Sequence, residues 1–108
     1  MKDGTIWKWV LKPESVQKIE IPDGTNLISA GYTPWNEEVC VWGEVPNQKA
    51  EKITRFIVIV GTGHDLPSTN RKKFLGTVVI PNLGLVWHVY DFGSFYDTPI
   101  HIDGTVVA

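Results

Sequence analysis

The feature that most constrains this chain is a succession of short segments rich in β-branched and aromatic residues, each cut off by turn-forming residues. Such spacing belongs to an all-β domain, because helices would repeat their apolar positions every three to four residues. Thr5 to Leu11 alternates, with Ile6, Lys8 and Val10 on one face and Trp7, Trp9 and Leu11 on the other, until Pro13 ends the run. Val16 to Ile21 reads as a second strand, closed by Pro22-Asp23-Gly24. Leu27 to Tyr32 and Val39 to Val45 follow, joined by Thr33-Pro34-Trp35-Asn36, with a meander as the simplest arrangement. Arg55 to Val60 is the most apolar segment and does not alternate, which predicts a central strand covered on both faces. Residues 65 to 73 are polar and predict a surface loop with at most a short helical turn, after which Phe74 to Ile80 and Leu83 to Phe92 form a hairpin around Pro81-Asn82.

The tail holds its own hairpin signal in Ile100-His101-Ile102, Asp103-Gly104 and Thr105-Val106-Val107. An isolated hairpin is marginal in water, so this one is expected to pack on the body or on another subunit. The expected fold is therefore mostly β, a single small antiparallel sheet or sandwich-like domain over residues 1–108 with a C-terminal β-hairpin. About residues 92–108 form an extension to it.

At 108 residues the chain can bury one core unaided. Its single cysteine, Cys40, excludes an internal disulfide and fits a reducing, cytoplasmic setting. The longest apolar run, Phe56 to Val60, is far short of the roughly 20 residues of a membrane helix, and Met1-Lys2-Asp3-Gly4 leads into no signal-peptide core. A net charge of −2 supplies no broad positive field for long nucleic acid, whereas a small anion needs only a local cluster of donors.

Gly61-Thr62-Gly63-His64-Asp65 directly follows the apolar strand. Two glycines let successive N–H groups turn toward an anion, and Thr62 and His64 add side-chain donors. No Gly-Lys-Ser/Thr follows, and Leu66 stands where a dinucleotide fingerprint would place its third glycine, so a plain strand-ending turn remains the alternative. Arg71, Lys72 and Lys73 lie only a few residues on and favour a phosphate or ligand loop. Of the five tryptophans, Trp87 shares a strand face with Leu85 and Val89, while Trp35 lies in a Pro/Asn loop where it could stack on a base or seal a subunit interface. His88 points away from the apolar face of its strand. The histidines form no metal-ligand spacing, and neither a metal site nor a catalytic constellation is expected.

Ile6-Trp7-Lys8-Trp9, Val39-Cys40-Val41-Trp42, Val60-Gly61-Thr62-Gly63-His64, Leu75-Gly76-Thr77 and Leu85-Val86-Trp87-His88-Val89-Tyr90 together resemble a family of small, mostly uncharacterised proteins of tailed phages, over about residues 5 to 91. The resemblance implies a phage accessory protein in the host cytoplasm, and small phage proteins of this size include sponges that sequester the nucleotide signals of bacterial immune systems such as CBASS and Thoeris. The expected function is capture, without catalysis or cofactor, of a cyclic oligonucleotide such as cGAMP or of a cyclic ADP-ribose type signal. Gly61 to Asp65, Arg71 to Lys73 and an aromatic such as Trp35 or Trp87 would carry it, with His88 as a further contact. A sponge needs nanomolar affinity, about −12 kcal/mol, while one stacked base gives ~1–3 kcal/mol. Walls from two subunits, and hence a homo-oligomer, are therefore expected. A protein-interaction or structural phage component without a nucleotide ligand is the alternative, and a phosphodiesterase using His64 or His88 is a third reading.

Overall fold

The computed structural model describes residues 3–69, 71–94, 100–102 and 105–107, the last two segments as backbone alone. Strands β1 (Thr5–Leu11), β4 (Glu38–Val45) and β3 (Asn26–Thr33) form one sheet in the order β1-β4-β3. Strands β2 (Val16–Pro22), β5 (Lys52–Gly61), β7 (Leu85–Gly93) and β6 (Lys73–Ile80) form a second sheet in the order β2-β5-β7-β6. All pairings are antiparallel, and β8 (Ile100–Ile102) and β9 (Thr105–Val107) make the tail hairpin. The described residues contain no helix, so residues 65–69 and 71–72 carry no helical turn. No helix among them is long and apolar enough to cross a membrane.

The two sheets pack face to face. Leu11, Leu27, Val39 and Val41 of the first meet Ile57, Ile59, Val78 and Val89 of the second, all buried. Full burial of side chains such as Leu27 and Ile57 is worth roughly 1.5–3 kcal/mol each. In β1, Trp7, Trp9 and Leu11 point inward and Ile6, Lys8 and Val10 outward, as the alternation predicts. The non-alternating β5 lies between β2 and β7, with Ile57 and Ile59 in the main core and Phe56, Val58 and Val60 in a second apolar cluster with Phe92 on the opposite face.

The meander does not form: β1 pairs with β4 and β2 with β5, because the chain changes sheet at the links 12–15, 23–25 and 46–51. The amphipathic strands β1 and β2 lie in different sheets, and each turns its apolar side to the common core, Trp9 and Leu11 from one and Ile19 from the other. Gln17 fastens the first of these links, accepting from Lys12 N at 2.9 Å and donating to Lys12 O at 2.8 Å. The sheets close together along β3 and β6, where Lys73 Nζ donates to Leu27 O at 2.6 Å. A Cβ on Gly76 would lie 3.0 Å from Ala30 O, so that approach needs glycine. On the outer side of the three-stranded sheet Cys40 is buried, and that burial pushes its thiol above its ordinary value against the opposing pull of Lys8 and the Thr33 hydroxyl.

Candidate functional site

The registers bring the turns 12–15, 34–37 and 81–84 and the Gly61 end of β5 to one end of the sandwich, here the hairpin end. A groove of about 410 Å³ opens there between the sheets, within the size range of small-molecule sites. Trp87 of β7 and Tyr32 of β3 form its aromatic walls and pack against the core behind them, while Pro81 and Leu83 come from the β6–β7 turn. Trp87 is half-buried, which leaves part of its indole to a ligand.

Two backbone outliers meet at this groove. Glu37 (φ 54°) and Asn82 (φ 71°) are the non-glycine residues with positive φ among those described, and both line it. Asparagine tolerates the left-handed region, whereas a glutamate there costs roughly 1–2 kcal/mol. Such strain persists only where the surroundings impose it and concentrates at functional sites.

The glycine loop begins beside the groove. Gly61 pairs with Trp87 in the β5–β7 register, so the loop leaves the sheet at the level of the indole. His64 N donates to Gly61 O at 3.1 Å, and the His64 ring folds onto Gly61, where a Cβ would sit 3.2 Å from Nδ1. Gly63 supplies the left-handed residue of the turn (φ 89°). On the outer face of the sheet Thr62 Oγ1 lies 2.9 Å from His88 Nε2, and Thr77 Oγ1 lies 3.0 Å from His88 Nδ1. Each hydroxyl can donate or accept, so either neutral tautomer of His88 satisfies both contacts. Among the described residues no carboxylate bonds this imidazole, and the cluster offers hydrogen-bonding groups rather than an oriented acid–base dyad.

The structure therefore unites Gly61, Thr62, Gly63, His64 and His88 and sets them next to Trp87. Asp65 is exposed on the stretch that leaves this loop. It does not bring Lys73 to the loop: Lys73 pairs opposite Asp91, four residues along β7 from Trp87 and roughly 13 Å away by strand rise. Its ammonium is held by Asn26 Oδ1 at 2.7 Å and by Leu27 O. Lys72 Nζ turns to Thr69 O at 3.3 Å, and Arg71 N to Thr69 Oγ1 at 3.2 Å. Trp35 stands at the tip of the 34–37 turn, 78% exposed and outside the groove lining. Tyr32, Glu37, Thr77 and Asn82 were not singled out by the sequence; the Pro81-Asn82 turn was the one available signal, since a left-handed glutamate leaves no mark. No group of three or more metal-ligating side chains gathers among the described residues.

No curated protein and no solved structure matches the chain. A family model described as a domain of unknown function, DUF7352, matches residues 2–94, from the start of β1 through the whole second sheet and short of the tail hairpin. The chain that carries this groove and glycine loop belongs to the DUF7352 family of domains of unknown function.

Proposed function

We propose that this protein is a binding module that captures a small nucleotide at the hairpin end and holds it unchanged. The observation that carries the reading is the Gly61–Trp87 register pair, which puts a glycine loop for phosphate directly beside an aromatic groove for a base. At that loop the His64 ring lies against Gly61, while Thr62 and His88 meet on the outer face of the sheet. The resemblance to small phage proteins favours a cyclic nucleotide signal of bacterial immunity as the ligand, with sequestration in the host cytoplasm as the proposed outcome. The groove is open on one side, so nanomolar retention requires a second copy of the chain as its missing wall.

A second reading, a protein-interaction surface, is favoured by the exposure of Trp35 and of Leu83 (67%) at this same end. One experiment separates the two. The purified chain is incubated with cyclic dinucleotides, cyclic trinucleotides and cyclic ADP-ribose isomers, filtered away, and the retained nucleotide is quantified by mass spectrometry after heating. Depletion followed by intact release, lost in Trp87→Ala, is the expected result. A changed mass would establish an enzyme, and no depletion would leave the interaction surface.

A further inference from the structure

The donors and acceptors at the mouth of the groove specify which base it takes. Glu38 has Lys8 Nζ at 3.9 Å, whereas no cation of the described residues lies within ion-pair distance of Glu37. A groove with aromatic walls and an unpaired carboxylate at its rim calls for an occupant that is flat, apolar on its faces and rich in N–H at one edge. Glu37 is held there by a strained left-handed backbone where glycine would be easier, and Asn82 reaches the same space from the opposite turn.

We propose that Glu37 and Asn82 read the edge of a guanine base stacked against Trp87. This inference rests on the nucleotide-capture reading above and names its base. Guanine presents two adjacent donors, N1–H and the N2 amino group, which match the two oxygens of one carboxylate. Adenine and cytosine each set a single amino group beside a ring nitrogen acceptor, whose lone pair faces a carboxylate oxygen and repels it. Uracil offers one N–H between two carbonyls, with the same conflict on both sides. The Asn82 amide supplies the remaining donor, for guanine O6. The phosphates are turned away from Glu37 and toward the backbone N–H groups of the Gly61–His64 turn.

The test compares guanosine, inosine and adenosine 5′-monophosphates, which differ only at the base edge, by isothermal titration calorimetry or ligand-detected NMR on the full chain. GMP is expected to bind about tenfold to a hundredfold more tightly than AMP, with IMP, which keeps N1–H and lacks the amino group, between them. Glu37→Gln preserves size and the left-handed backbone demand, so it should keep the melting transition while removing most of the GMP preference. Equal affinity for GMP and AMP, or an undiminished preference in Glu37→Gln, would overturn the guanine assignment and leave nucleotide capture standing. Failure of all three nucleotides together with binding of N-acetyl-argininamide, whose guanidinium carries the same donor pair, would overturn both and assign the groove to a protein side chain.

Discussion

The two ends of the sandwich treat their polar groups in opposite ways. At the far end Arg55 Nη1 donates to Asp91 Oδ2 at 2.8 Å, with the two side chains only 14% and 8% exposed, and Gly93 N donates to Asp91 Oδ1 at 2.9 Å. Lys73 joins Leu27 O and Asn26, and Asn26 Nδ2 in turn donates to Glu44 Oε1 at 2.9 Å. A depression of about 450 Å³ at that end, comparable in size to the hairpin-end groove, is lined by Asp3, Gly4, Gly24, Asn26 and Glu44 rather than by aromatic rings. Arg55 Nε, buried without a hydrogen-bond partner, is the exception to this closure. At the hairpin end a tryptophan and a leucine stand in solvent, two non-glycine residues take a left-handed backbone, and the aromatic groove is open. Cavity size therefore does not single out the groove; its aromatic walls and its two left-handed turns do.

The largest test of this contrast is Asp91→Ala, which strands the Arg55 guanidinium in the interior. A loss of about 3–5 kcal/mol is expected in urea unfolding. A loss below about 1 kcal/mol would mean that the far end is no more tightly fastened than the other. Glu37→Gly should move stability in the opposite direction, gaining about 0.5–1 kcal/mol as left-handed strain is relieved against the extra freedom of glycine in the unfolded chain. A destabilised Glu37→Gly variant would show that the turn is not strained and would erase the difference between the ends. The smallest effect comes from a group belonging to neither. Burial raises the Cys40 thiol, so the folded chain keeps a proton that the unfolded chain releases, and stability present at neutral pH declines as pH rises through the ordinary thiol range. Cys40→Ala should flatten that alkaline decline in urea titrations at several pH values, and an unchanged slope would assign it to other groups.

The strands were legible because alternation and turn residues are local signals. The inward face of Trp7, Trp9 and Leu11 and the two-sided burial of β5 could be read from their own segments. Strand pairing could not, since the β1–β4 and β2–β5 partnerships are set by which sheets close around a common core. The glycine loop and Trp87 were visible as types, but their adjacency is a matter of register. Lys73 looked like a neighbour of that loop, yet the connection from Gly61 runs the length of the sheet before β6 begins and delivers it to the other end. Thr77 and Tyr32 lie in ordinary strand contexts, and nothing in their neighbourhoods distinguishes them from other strand residues.

The order β2-β5-β7-β6 has a consequence for assembly. Strands β5 and β6 both run antiparallel to β7, which is inserted between them although it is made last of the three. Until residues 85–93 dock, β5 has a bare, apolar edge, an invitation to sticking between chains. The closure joins segments distant in sequence, so it should be a slow step of folding. The same event creates the Gly61–Trp87 neighbourhood and inserts His88 between Thr62 and Thr77. A nascent or partly folded chain lacks this neighbourhood, so uptake at the proposed site would count only molecules whose last internal strand is in place.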